Sequence, residues 1–408
     1  MAAIFAAAGG ADTLLLERTA DGGRKILISG GGRCNILPAR LDESRFVSDS
    51  PPHLVRRIVR SWPLREQVAF FERELGLPLV EEIESAKLFP ASQRARDVRD
   101  RLLQLAQRRG ARLLLNTTVK DIGPAGAGWG VELASGEVLQ AGAVVVATGG
   151  LSVPSTGSDG TGLRAAQALG HDMIATYPAL TPLTAHPAPF GSLSGISLPV
   201  TLTARAGELS ATATGGFLFT HHGYSGPSVL DVSHVAVRSR LSAEALRAKE
   251  GADSVAPARI AVRWTSLNDA QWEEALRPQG SRTVAAAVGT ALPSRLADAL
   301  VESVAIDPKL TLANLSRGDR LRLIDLLVRG SLPWSGDEGY KKAEVTGGGV
   351  ALSEVDPRTM ESRRHKGLYL CGEMLDAFGP IGGYNFLWAW ATGRAAGLAA
   401  SATIKGLA

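Results

Sequence analysis

The chain has 408 residues, 45% of them hydrophobic and 21% charged, with a formal net charge of +4. That balance suits a soluble globular protein of two or three domains with sizeable cores, and it excludes a mainly disordered chain. Two cysteines at opposite ends, Cys34 and Cys371, make no disulfide framework and suit a reducing, cytoplasmic setting.

In chain order, "MAAIFAAAGG" reads as a small-residue helix and "ADTLLLE" as a short apolar strand ending in an acid. In βαβ nucleotide-binding units a strand-end carboxylate about 20 residues beyond the glycine fingerprint accepts hydrogen bonds from a ribose. Glu17 fills that role, with Arg18 beside it. Counting back from Glu17 places the fingerprint before residue 1, so the chain is expected to lack its first strand and G-x-G-x-x-G.

"GRKILISGGGRCN", residues 23–35, reads as an apolar strand feeding three consecutive glycines. Residues without a Cβ let backbone N–H groups approach a bulky or anionic ligand, so Gly30, Gly31 and Gly32 read as a contact loop; a surface turn would use the same residues. Arginines crowd residues 56–112, in "RRIVR" and "RARDVRDRLLQLAQRRGAR". Helical spacing puts several on one face, which suits either an RNA-binding patch or a solvated face laced with Asp97 and Asp100.

A helix is predicted over 92–109, a strand over 112–122, and a hairpin turning at Ser135-Gly136. The hairpin returns to a buried strand, "AVVVAT", that breaks at Gly149-Gly150. A helix opens near Thr161. Residues 181–266 have β texture with Pro and Gly punctuation, and 267–338 read as mainly helical. Residues 339–408 return to glycine and apolar language: "GLYLCGE" is a buried strand ending in a carboxylate, and "GPIGGYNFLWAWATGRAAG" is a tight loop opening a helix. The terminal "FLWAWATGRAAGLAASATIKGLA" is broken by Arg394 and small residues, so it reads as a buried helix rather than a membrane span. Residues 1–180 and 339–408 therefore form one discontinuous nucleotide-binding domain around an insert.

"GRKILISGGGRCN", "TGGLSVPSTGSDGTG", "LFTHHGYSGP", "AEVTGGGVALSEVDPRTMES" and "LYLCGEMLDAFGPIGGYNFLWAWATG" together resemble the BaiN/RdsA type of NAD(P)/FAD-dependent oxidoreductase, also labelled the aminoacetone oxidase family of FAD-binding enzymes. The resemblance covers essentially the whole chain. It implies an α/β fold with a Rossmann-like, two-dinucleotide-binding FAD domain, an inserted β-barrel-like domain and a small helical domain. It implies FAD as cofactor and NAD(P)H as electron donor. The chain departs from the family at its front, where the fingerprint is absent, and in "DAFGPIGGYN". Without the fingerprint's N–H groups, FAD is expected to bind weakly or not at all.

On this reading Glu17 and Arg18 meet the adenosine ribose, and the backbone of Val119 meets the adenine edge. Lys25 and Arg33 offset phosphate charge. Ser29, the three glycines, Cys34 and Asn35 approach the ribityl chain or ring. Thr148, Gly149 and Gly150 pass on the other side, while Gly372, Glu373, Gly382, Gly383, Tyr384 and Asn385 approach the ribityl chain and the pyrimidine end. A helix starting at Tyr384 points its positive end at flavin N1 and O2.

Cys34, His222 and Tyr384 are the candidate catalytic residues. Cys34 suits a thiol against the flavin, or a redox partner of Cys371; His222, in "THHGYSGP" of the insert, suits a proton donor or a structural turn. No metal-ligand spacing surrounds these residues, and no metal is expected. The residues suit reduction of a C=C bond conjugated to a carbonyl. The resemblance implies enones or uracil in ribosomal RNA as substrates. The alternatives are an oxygen-using amine or aminoketone oxidase, and a non-catalytic module that binds RNA or a partner.

Overall fold

The computed structural model describes residues 1–250 and 257–407. These divide into two compact units, one made of residues 1–178 with 344–408 and the other of residues 179–343.

In the first unit, α1 is Ala2–Ala8, β1 Leu14–Leu16, α2 Arg24–Ile28, α3 Pro52–Arg60, β2 Lys87–Pro90, α4 Ala95–Arg108, β3 Arg112–Leu114, β4 Val144–Val146, β5 Val345–Val350, β6 Leu368–Leu370 and α5 Tyr384–Leu407. β1 runs parallel to β3 with Leu14 opposite Arg112, and β6 runs parallel to β4 with Leu368 opposite Val144. Parallel neighbours need a long crossover. Here the crossover between β4 and β6 contains the entire second unit, so the first unit is discontinuous in sequence and continuous in space.

Small residues let α5 lie close to α1: a Cβ on Gly397 would stand 2.3 Å from the Ala2 carbonyl oxygen. Ile4, Phe71, Trp388 and Trp390 fill the core around this crossing. At about 25 cal/mol per Å² of apolar surface removed from water, side chains of this size give the unit its cohesion.

Three local expectations are corrected. Residues 24–28 form the helix α2 where an apolar strand was expected. The three apolar residues Ile26, Leu27 and Ile28 fit either period, and here Gly23 sits in the left-handed region while Arg99 donates to the Asp21 and Gly22 carbonyls, turning the chain into a helix. The strand expected over 112–122 is two strands, β3 and Val119–Ala125, separated by Asn116 at φ 54°. "PSVLDVSHVAV" is the start of the helix Pro227–Glu250 rather than β structure. Its β-branched residues suggest a strand, but Val229, Val232 and Ala236 recur at helical spacing and all are fully buried.

The second unit holds a seven-stranded sheet whose long central pair, Ser197–Ala206 and Leu209–Thr220, is antiparallel with Ser197 opposite Leu218. The sheet runs from Gly330–Ser331 at one edge to Gly336–Asp337 at the other. Those two edges are not paired with each other. Trp272, Leu296 and Leu323 share one core with Leu202, Phe217 and Trp264. The stretches 181–266 and 267–338, read from sequence as two domains, thus pack as one body. Among the described residues no helix is long and apolar enough to cross a membrane.

Candidate cofactor site

The glycine loop has an unusual backbone. Gly30, Gly31 and Gly32 take φ of 56°, 67° and 84°, the left-handed region that side chains with a Cβ resist. The three differ in what surrounds them. A Cβ on Gly30 would stand 3.0 Å from the Asn35 nitrogen and 3.2 Å from the Phe89 ring, so this glycine packs onto β2. A Cβ on Gly31 would meet nothing within 4 Å. Ser29 turns inward, its hydroxyl donating to the Ile26 carbonyl at 2.7 Å. Arg33 is braced over the Phe89 ring at 4.2 Å and paired with Glu82 at 2.9 Å.

The far end of the chain closes on this loop. The Asn35 amide, oriented to satisfy both neighbours, accepts from the Gly383 N–H at 2.9 Å and donates to the Leu37 carbonyl at 3.2 Å. Gly383, at φ 89°, lies so near that a Cβ there would stand 2.4 Å from the Leu37 carbonyl carbon. Gly382 lies under the Lys87 side chain, and Gly372 faces open space as Gly31 does. Asn385 holds the 379–385 turn by donating to the Gly379 carbonyl and accepting from its N–H, both at 2.9 Å.

Charge is balanced across the same place. The Lys25 ammonium pairs with Glu373 and donates to the Ser152 hydroxyl, which itself donates to Glu373. Glu373 also accepts from the Thr346 N–H at 3.0 Å and the Thr346 hydroxyl at 2.9 Å. Gly150 allows this approach, since a Cβ there would stand 2.4 Å from the Thr346 hydroxyl. Gly149, at φ 74°, sits against Ser158, and Thr148 packs against Gly162. Ser152, Thr346, Lys87 and Phe89 belong to this site without having been singled out from the sequence. Thr346 lies in the quoted "AEVTGGGV", but only long-range contact reveals its partners.

On another side, Glu17 follows β1 and its Oε1 accepts from the Thr19 N–H and hydroxyl at 2.8 and 2.7 Å. That fixes the carboxylate's direction. Arg18 pairs with Asp159. Burial raises the Asp159 pKa, but the Thr161 hydroxyl and N–H and the Arg18 guanidinium outweigh it and hold the group down at about 2. A cavity of about 520 Å³ opens here, lined by Arg18, Thr19, Arg24, Asn116 and Ser155 among others. Val119 starts the strand that pairs with Leu133.

The three catalytic candidates fare differently. Cys34 has none of its surface exposed, and burial pushes its thiol up to about 12, so it is a packed core thiol with no route to a ligand. It is not paired with Cys371; both are free. Tyr384 is 4% exposed, and its hydroxyl accepts from the Asp42 N–H at 3.2 Å, which makes it a pin for the 40–46 loop rather than an open acid. His222 lies in the second unit, exposed, with its ring 6.4 Å from that of His186. Among the described residues no group of three His, Cys, Asp or Glu could hold a metal ion.

A Rossmann-type domain built from both ends of the chain, with left-handed glycines facing open space, is the architecture of a dinucleotide-binding protein. The chain belongs to the HI0933-like protein Rossmann domain family, whose pattern matches residues 1–399. It is 30% identical over 402 residues to a ribosomal RNA dihydrouridine synthase of Escherichia coli (strain K12), covering 95% of this chain and 92% of that one. A protein of the same name from Haemophilus influenzae is 31% identical over 395 residues, with 93% and 90% covered. A 3-dehydro-bile acid delta(4,6)-reductase of Clostridium scindens is 29% identical over 411 residues, with 98% and 96% covered.

Proposed function

We propose that the chain uses FAD and a nicotinamide donor, NADH or NADPH, to reduce a C=C bond conjugated to a carbonyl, with the uracil ring of ribosomal RNA as its substrate. The observation that carries the reading is the open glycine cradle closed by Asn35 and Gly383, because backbone without Cβ atoms fits a flat, bulky ring and the fused ends give it two walls. The relatives' activities share one electronic demand. Uridine and a dehydro-bile acid both offer an alkene made electrophilic by a carbonyl.

FAD, when bound, supplies the hydride acceptor and donor for such a reduction. The protein's own groups bind and orient it. Glu17 takes the adenosine ribose with Arg18 beside it, and the Val119 backbone borders the adenine. The Lys25 ammonium and the loop N–H groups of Gly31 and Gly32 offset phosphate and ribityl oxygens. Gly372, Gly382 and the first turn of α5 favour negative charge at the pyrimidine end, through the positive end of a long helix. The buried residues beneath, Cys34 and Tyr384, keep that wall dry and fixed. A proton donor to the substrate α carbon completes the reaction. The free thiols suit a cytoplasmic setting.

The test uses the protein saturated with added FAD, which allows for weak binding, mixed without oxygen with NADPH or NADH, then with ribosomal RNA. Loss of visible flavin absorbance, then its return with dihydrouridine formed in the RNA, is the expected outcome. Reoxidation only by oxygen, with an amine as the reductant, would point to an oxidase and overturn the reading.

A further inference from the structure

We propose that an arginine track on the first unit, running from the outer face of α3 to the loop over Tyr384, is the surface that holds the RNA phosphate backbone; the proposal rests on RNA being the substrate. α3 presents His53, Arg56, Arg57 and Arg60 on one face, at i, i+3, i+4 and i+7, and all four are exposed. Its other face, with Val55, Ile58 and Val59, is buried and holds the helix in place. The arginines are thus displayed on a fixed element.

The track leads to the cofactor site. Arg45, exposed in the preceding loop, lies with its guanidinium 5.4 Å from the centre of the Tyr384 ring. Arg40 is exposed, and its carbonyl accepts from the Tyr384 hydroxyl at 3.5 Å. Tyr384 follows Gly383, which closes on the glycine loop. An RNA strand lying along Arg57, Arg56 and Arg45 therefore arrives at the wall that holds the flavin.

The acids nearby cancel only part of the charge. Residues 40–60 hold five arginines against Asp42, Glu43 and Asp49. Glu43 is engaged by Arg60 at 2.8 Å. Asp42 accepts from the Ser44 N–H at 3.0 Å and from its hydroxyl at 2.6 Å. Arg56 and Arg57 have no ion-pair partner among the described residues. Arginine suits phosphate because its planar fork donates two parallel hydrogen bonds. A solvated helix face would look similar at rest, and salt dependence separates the two.

The experiment measures binding of a fluorescent uridine-containing ribosomal RNA fragment to the FAD-loaded full chain, as a function of salt. The variants are Arg56→Gln with Arg57→Gln, and Arg205→Gln with Arg259→Gln on the second unit as a control. Each lost phosphate contact makes the log–log salt slope shallower by about 0.7 on single-stranded RNA, so the α3 pair loses about 1.4 and binds roughly 10–30-fold more weakly at about 0.1 M salt. The control keeps the parent slope, and thermal melts and flavin spectra show that both variants fold. In turnover the α3 variant raises KM for RNA and leaves kcat unchanged. A parent slope in the α3 variant, or an equal loss in the control, overturns the track while leaving RNA as substrate. Parent protein that binds no RNA removes the substrate reading and the track together.

Discussion

Replacing Gly383 and Gly31 separately by alanine separates the roles of two glycines that look alike in sequence. Both sit at positive φ, 89° and 67°, so either alanine costs about 1–2 kcal/mol of backbone strain. Beyond that they diverge. At Gly383 the new methyl would stand 2.4 Å from the Leu37 carbonyl carbon and 2.7 Å from the Pro38 nitrogen, both backbone atoms that cannot rotate away. Overpacking of that kind adds about 1–3 kcal/mol, for a total of about 2–5. At roughly 2–4 °C per kcal/mol for a unit of this size, the melting temperature falls by roughly 4–20 °C. At Gly31 the methyl meets nothing within 4 Å of protein, so the melt moves by only a few degrees, in proportion to strain alone. The cost appears in the cofactor: a methyl forced against a bound ring weakens FAD by about 1–3 kcal/mol, or roughly 5–150-fold. Thermal melts of apoprotein and fluorescence titration with FAD read the two quantities independently. Gly31→Ala with parent FAD affinity would falsify the cradle, and Gly383→Ala with a parent melt would refute the closure of the two chain ends.

Two further outcomes follow from buried groups. His171 is 3% exposed, with Nδ1 against the Ala166 carbonyl at 2.9 Å and Nε2 against the Ser362 hydroxyl at 2.7 Å. Burial lowers its pKa below the ordinary 6.5, so the unfolded state takes up the proton first and stability falls as pH drops below about 6.5, down to the folded-state value. The slope reaches at most about 1.4 kcal/mol per pH unit, and urea melts of His171→Gln should lose that slope; an unchanged profile would discard the assignment. Cys34 and Cys371, both pushed up to about 12 by burial, should resist a thiol reagent in the native protein at neutral pH and react fully once unfolded. Cys34→Ala should leave turnover within about threefold, and a larger loss would restore a chemical role to the thiol.

How much of this was legible depended on whether the information was local. The helix at 95–108, the hairpin turn at Gly136 and the strand at 368–370 each follow from a run of neighbours whose period or punctuation says what they are. The glycine loop was legible as a place where a ligand approaches, because three residues without Cβ atoms are a local fact. The split among those glycines was not: Gly30 packs on Phe89 while Gly31 faces space, and that difference arises from β2, more than fifty residues away. Cys34 looked reactive beside Arg33, yet Arg33 turns to Glu82 and Phe89 and leaves the thiol in the core. Tyr384 stood out as a catalytic candidate at a helix start, and its hydroxyl is occupied by loop residues some 340 positions earlier. Residues 227–237 misled for another reason: β-branched side chains were read by type, while burial follows helical spacing.

The ion pair between Lys25 and Glu373 shows what such separations accomplish. The two groups lie 348 residues apart and meet at 2.5 Å, with 29% and 17% of their side chains exposed. A pair this sheltered is worth more than a surface pair, yet desolvation takes back part of the gain, so the net coupling is about 1–2 kcal/mol. Removing one partner costs more than removing both, because the remaining charge stays beside Ser152 and Thr346 with no counterion. Lys25→Met leaves the Glu373 carboxylate in that state, and Glu373→Gln leaves the Lys25 ammonium facing a neutral amide. The double variant should therefore be more stable than the sum of the single losses by that coupling, measured in urea melts of the apoprotein. FAD titration of the same four proteins reads something different: Lys25→Met should weaken binding whether or not Glu373 is present, because the role proposed for the ammonium is to meet the cofactor's phosphates. Strict additivity in stability would show that the pair does not join the ends, and FAD affinity indifferent to Lys25 would remove the lysine from the cofactor site.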